Sequence, residues 1–114
     1  MVKDYSQQTG KKTTTKGHHK ICISIESIVY IQCEGGLATL FLDDQSKVEE
    51  IKTLKAFEAD LCGMGFIRIS RNTLVNGKHI TKINTNQGKR IVYLGDIALR
   101  VSKRRLACLK EQLF

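Results

Sequence analysis

No apolar run in this 114-residue chain approaches the roughly 20 residues that a membrane-spanning helix needs. The opening "MVKDYSQQTGKK" also lacks the apolar stretch of a secretory signal. Both absences lead to an expectation of a cytoplasmic protein with no membrane partner. Tryptophan is missing, and the three Tyr and four Phe do not cluster as a platform on which single-stranded bases would stack, which argues against an RNA-binding module. The four cysteines (Cys22, Cys33, Cys62, Cys108) contain no CxxC pair. Each lies beside apolar residues, so reduced thiols, buried or half-buried, are expected. His18, His19 and Cys22 have no second ligand pair at zinc spacing, His79 reads as a surface residue, and Asp43-Asp44 reads as a turn. No glycine-rich phosphate loop precedes a helix, and no set of acids, bases and nucleophiles converges. The expectation is a protein that is not an enzyme and needs neither metal nor cofactor.

What is abundant is positive charge, and it is unevenly spread. The net value is +8. Residues 1–20 carry five lysines against Asp4, residues 21–62 carry three basic and eight acidic side chains, and residues 63–114 carry eleven basic against two acidic. Such asymmetry within a chain long enough for one modest core predicts a basic face contributed by the second half. Its partner is a polyanion, and charge alone leaves nucleic acid and an anionic membrane both open.

Residues 1–15 are polar and rich in Gly, Thr and Lys, the composition of a flexible basic tail or interdomain linker, which leaves 16–114 as the folded domain. There the pattern is dominated by strands. Ile21, Ile23 and Ile25 alternate with polar residues, followed by "IVYIQC", a turn at Glu34-Gly35-Gly36, "LATLFL" and a turn at Asp43-Asp44. Leu54, Phe57 and Leu61 then recur at helical spacing, with Thr53 as N-cap and Gly63 at the end. Further strands fall at "FIRIS", "LV", "HITKIN", "RIVYL" and around Ile97–Val101, before a last helix from Lys103 that carries Leu106, Leu109 and Leu113 on one side. The fold class is mainly β, a β-rich α+β arrangement. It has eight to ten short strands, a short middle helix and a C-terminal helix. No βαβ rhythm is present, so the sheets should be mostly antiparallel.

Two clusters break their local patterns. In "FIRISRNTLVN", Arg71, Asn72 and Thr73 interrupt a pair of short apolar strands. In "VSKRRL", Ser102 suits an N-cap, yet Lys103, Arg104 and Arg105 fill a first helical turn where the dipole favours acidic residues. Sequences break local preference at functional positions, and a phosphate at the helix N-terminus would resolve this conflict. Both clusters follow strands, so both can be loops presented to DNA on a rigid scaffold. Arginine offers a planar fork for guanine O6 and N7, and Asn72 can pair similarly with adenine. Lys103, Arg105, Ser70 and Lys78 suit phosphate oxygens, which set register without carrying sequence information.

"FIRISRNTLVNGKHITKI", followed by "GKRIVYLGDIALRVSKRRLACLKEQL", resembles the LytTR DNA-binding domain, whose pattern runs from an F-x-R-x-H-R-S-x-x-V-N stretch to a closing V-S-R-R and helix. The upstream "SIVYIQCEGGLATLFL" is similar to that family's I-x-Y-I-E strand and hairpin. The resemblance implies three small packed sheets whose loops enter successive major grooves of double-stranded promoter DNA, on paired repeats and as a homodimer. It implies base contacts from Arg71, Asn72 and Arg104, and a third contact loop at Gly35-Gly36. There the hairpin is shorter than in the family and glycines replace polar side chains. "S-R-N" also stands where the pattern has H-R-S, and "V-S-K" where it has V-S-R. Most members are output domains of bacterial two-component response regulators, which implies an upstream receiver domain phosphorylated by a sensor kinase. The alternatives are a stand-alone LytTR regulator and a protein-interaction module.

Overall fold

The structure, a computed structural model, describes residues 5–6, 11–16 and 19–113, with side chains over 23–111. In chain order the elements are β1 (Tyr5–Ser6), β2 (Lys11–Lys16), β3 (His19–Ser24), β4 (Ile28–Glu34), β5 (Leu37–Leu42), β6 (Lys47–Ile51), α1 (Leu54–Asp60), β7 (Phe66–Ser70), β8 (Thr73–Asn76), β9 (Lys82–Asn84), β10 (Ile91–Leu94), β11 (Ile97–Arg100) and α2 (Lys103–Leu113). The strands form three sheets, ordered β1-β2-β3, β6-β5-β4-β8-β7 and β11-β10-β9. Every pairing is antiparallel. Much of the expected tail, residues 1–4 and 7–10, lies outside the described residues. The rest of it forms β1 and β2, and β2 pairs along its length with β3, from Lys11 opposite Ser24 to Lys16 opposite His19. The side chains of His18, His19, Cys22 and Leu113 also lie outside the described residues.

The five-stranded sheet is central because it has a core on each face. Ile28, Ile31, Ala38, Leu40, Val48 and Leu74 bury against Ile23, Ile25 and the apolar side of α1 on one face. Val29, Tyr30, Ile67, Ile69 and Val75 bury against Val92, Leu94, Val101 and Leu109 on the other. Central β4 therefore reads as a near-continuous apolar run, whereas the edge strand β6 alternates between buried and exposed. Tyr30 stacks on Phe41 with ring centroids 4.2 Å apart, and burial pushes its phenol up from the ordinary value.

The first helix forms as its sequence predicts. Thr53 is the N-cap, its hydroxyl accepting from the Ala56 N–H at 3.1 Å, and Leu54, Phe57 and Leu61 are all buried. Thr53→Ala should lower the unfolding free energy by about 1 kcal/mol, the usual worth of such a cap. A denaturant midpoint equal to the parent's would show that α1 is held by packing alone.

Two expectations need correction. Of the three cysteines whose side chains are described, Cys62 and Cys108 are exposed and Cys33 is partly covered. Cys62 falls past the end of α1's apolar face, and Cys108 sits on the solvent side of α2, next to the buried Leu109. His79 is half-buried, with its Nε2 2.6 Å from the Glu26 carbonyl oxygen.

Candidate nucleic-acid interface

Strands β7 and β8 form a hairpin whose exposed turn is Arg71-Asn72 alone. Thr73, read from sequence as part of the protruding cluster, is instead buried in β8 opposite Gln32. Its hydroxyl donates back to Asn72 Oδ1 at 3.1 Å, so it supports the turn from below. Ser70 lies in the same network, its hydroxyl donating to Asn72 Oδ1 at 2.8 Å and accepting from the Asn72 N–H at 3.4 Å. The Asn72 carbonyl accepts from the Cys33 N–H at 2.9 Å, which ties the turn to β4.

The register of this hairpin slips between Arg68 and Ser70, so Ile69 is the extra residue of a bulge. A bulge frees backbone groups from the ladder and re-aims the strand. Here the Ile69 side chain is fully buried, and its carbonyl accepts the Ser102 N–H at 2.7 Å. That single hydrogen bond brings the start of α2 beside the Arg71-Asn72 turn. The Ser102 carbonyl in turn accepts from the Arg105 and Leu106 N–H groups at 3.0 and 3.2 Å, while Val101 is clamped to Arg90 by a backbone bond of 2.8 Å and by Arg90 Nε on its carbonyl at 3.0 Å. Lys103 and Arg104 are exposed and Arg105 is half-buried. A cleft of about 350 Å³ separates the two clusters, lined by Gln32, Ser70, Asn72, Thr73, Leu99, Arg100 and Ser102.

Two clusters some thirty residues apart in sequence thus share one end of the molecule. The Gly35-Gly36 turn is at the same end. It joins β4 to β5 with both φ angles positive, +60° and +83°, a backbone that side chains rarely adopt. Its tightness explains the shortness of that loop and leaves no side chain there to reach outward. Lys78 is elsewhere. It lies beyond Asn76, the length of β8 from the Arg71-Asn72 turn, with its ammonium 4.0 Å from Glu26. The structure therefore brings together Ser70, Arg71, Asn72, Lys103, Arg104, Arg105 and the Gly35-Gly36 turn, and leaves Lys78 out.

Sequence reasoning missed Gln32 and Arg100, because nothing in a strand's alternation marks which end of it will border a cleft. It also missed Arg68, which was visible only as a charge in an apolar strand. The long-range charge pattern was legible and has a geometric counterpart. Lys89, Arg90 and Arg100 flank the strand ends next to the basic clusters. Glu26, Asp43, Asp44 and Asp96 sit at the opposite turns. The separation is partial, since Glu34 and Glu58 lie at the basic end and Lys47 and Lys78 at the other. Among the described residues, no helix is long and apolar enough to cross a membrane.

Comparison with solved structures finds a chain from Bacillus cereus described as the LytTr DNA-binding domain of a methyl-accepting/DNA response regulator. It superposes with a TM-score of 0.79 at 18% identity, covering 91% of this chain and 96% of that one. At that identity the likeness establishes the fold. A comparison with curated proteins returned no match. The family model for the LytTr DNA-binding domain matches residues 18–114, so the β-rich body and the end that gathers Arg71 with Arg104 belong together to a member of the LytTR DNA-binding domain family.

Proposed function

We propose that this domain is the sequence-specific output module of a cytoplasmic two-component response regulator, and that it reads double-stranded promoter DNA through successive major grooves. Arg71 contacts a base edge from the hairpin turn with its guanidinium. Asn72 does so with its Nδ2 amide, since its Oδ1 already accepts from Ser70 and Thr73, and Arg104 does so from the first turn of α2. Ser70, Lys103 and Arg105 hold the phosphates alongside. Lys78, at the far end of the hairpin, adds only a sequence-independent attraction. The Gly35-Gly36 turn approaches the backbone with main-chain groups alone. A receiver domain, phosphorylated by a sensor kinase, would pair two such modules on repeated sites.

The observation that carries this reading is the bond from the Ser102 N–H to the Ile69 carbonyl at the bulge. It fixes the helix start and the hairpin turn as one rigid edge, on the scale of loops that must hold register on a duplex. The Lys103 and Arg104 N–H groups precede the first intrahelical bonds of α2, which begin at Arg105. With the Lys103 and Arg105 side chains they suit a phosphate oxygen rather than a carboxylate of the chain itself. Planar arginine forks set beside phosphate grips on one edge suit the base edges and backbone of DNA, whereas an anionic membrane would draw on the positive charge alone.

A gel shift with bacterial promoter fragments at low salt, against heparin competitor, tests the reading. A retarded band that survives random competitor DNA is expected, and a domain that ignores every fragment would leave a protein-interaction module in its place. Affinity should fall steeply with salt as counterions are released. Lys103→Ala should weaken all sequences alike and flatten the slope of log affinity against log salt by roughly one unit. A slope that the substitution leaves untouched would remove Lys103 from the phosphate contacts.

A further inference from the structure

The hairpin turn that carries Arg71 is not self-supporting. Two-residue hairpin loops match the twist of their strands when both central residues have positive φ, and neither Arg71 nor Asn72 does. Something else must hold the shape. Arg68, on β7 and with its side chain only 16% exposed, supplies three directed bonds. Its Nε donates to the Ser70 carbonyl at 3.1 Å, its Nη2 donates to the Arg71 carbonyl at 2.6 Å, and its Nη1 meets Glu58 Oε1 at 3.3 Å. A guanidinium is planar and presents its donors in a fixed fork, so it can hold the carbonyls of two consecutive residues in one plane, which a lysine ammonium cannot. Glu58, on α1, holds the opposite side of that plane. The bonds of Arg68 run to the turn and to Glu58, so its part is to hold the turn rather than to reach outward.

Resting on the DNA-binding reading of the turn, we infer that Arg68 is a positioning residue that sets the presentation of Arg71, and that Glu58 sets Arg68 in turn. The route runs from the Thr53-capped helix α1 through Glu58 and Arg68 to the carbonyls of Ser70 and Arg71. Base choice then depends on a carboxylate that never meets DNA.

This has a sign that simple electrostatics does not share. Removing Glu58 takes a negative charge away from a basic face, which by charge alone should tighten binding to every sequence. If Glu58 orients the brace, Glu58→Ala should instead weaken the specific complex. The experiment uses a duplex selected by the parent domain from a random double-stranded pool, compared with a scrambled duplex of equal length and composition. Arg68→Lys keeps the charge but loses the fork. It should lose about tenfold in specific affinity, the scale of one charge-assisted hydrogen bond. Affinity for the scrambled duplex and the salt slope should both stay at the parent's values. Glu58→Ala should lose several-fold on the selected duplex and gain slightly on the scrambled one. In the free domain, the Cys33 N–H, which is bound to the Asn72 carbonyl, should exchange faster in both variants, while thermal midpoints stay close to the parent's.

Equal weakening of both duplexes by Arg68→Lys would make Arg68 a phosphate contact and overturn the inference. So would Glu58→Ala tightening both, or an unchanged Cys33 exchange rate. Should the parent select no duplex at all, the DNA reading itself falls. The Cys33 exchange rate still decides in that case whether Arg68 and Glu58 brace the turn.

Discussion

Leu109→Ala should lower the unfolding free energy of this domain by about 2–4 kcal/mol, a large share of the 5–15 kcal/mol that such domains possess. Leu109 is fully buried, and it shares the second core with Ile69, Val75, Val92 and Val101. Among the described side chains of α2 it is the one that is fully buried, since Leu106 is only partly covered and Cys108 and Lys110 face outward. Truncation leaves a cavity that the rigid sheet beneath cannot close, hence the upper part of the range. In urea, with a slope of ~2 kcal/mol per molar, the middle of the range for small domains, the midpoint should fall by about 1–2 M. Leu106→Ala should cost clearly less. A midpoint unchanged in Leu109→Ala would mean that α2 is not docked, and the proximity of Arg104 to Arg71 would lose its basis.

Most strands were legible because alternation and turn residues agree. "LATLFL" is β5 residue for residue, and the turns at Gly35-Gly36 and Asp43-Asp44 stand where the sequence puts them. β6 was not legible. Its "KVEEI" has two glutamates in five residues, poor strand formers that an edge strand tolerates because only Val48 and Glu50 point to the core while Lys47, Glu49 and Ile51 face solvent. β2 was hidden for a similar reason. "KKTTTK" has the polarity of a linker, and its pairing with β3 is a long-range event that composition does not report. "HITKIN" shrinks to three strand residues because the turn at Gly77–His79 takes up its start.

The candidate site was legible as chemistry and illegible as geometry. Arg71 and Lys103–Arg105 stand out in the sequence because each violates a local preference. Nothing in the sequence says that they meet. That depends on the bulge at Ile69, which only pairing with β8 reveals, and on the Ser102 bond that the bulge allows. The unseen strand pairing also misassigned Thr73. Read from sequence, three hydrogen-bonding residues form a loop. In the folded hairpin the third is pulled into β8 by its pairing with Gln32, and it becomes part of the support. Arg68 was overlooked because an arginine at a half-buried strand position normally extends its stem to reach water, whereas here Ser70, Arg71 and Glu58 claim its donors.

Arg71→Ala should cost about 1–3 kcal/mol on the specific duplex, up to roughly a hundredfold in affinity, and much less on random DNA. The turn is held on every side except the one that Arg71 faces. The Ser70, Arg71 and Asn72 carbonyls are all bonded within the domain, and the Asn72 side chain is engaged by Ser70 and Thr73. The Arg71 side chain is exposed at the tip. The fixed backbone sets where the guanidinium starts, and its planar fork suits a bidentate contact with guanine. Arg104→Ala should behave in the same way, and the double variant should be close to additive if the two residues read separate bases. Arg71→Lys separates a base contact from charge, since lysine keeps the positive charge and lacks the fork. The expected result is a loss of selectivity nearly as large as that of Arg71→Ala, with the affinity for random DNA retained. If Arg71→Lys binds the selected duplex as tightly and as selectively as the parent, Arg71 is only a phosphate contact. The base-reading role would then pass to Asn72 and Arg104, the other two side chains proposed to read bases along this edge.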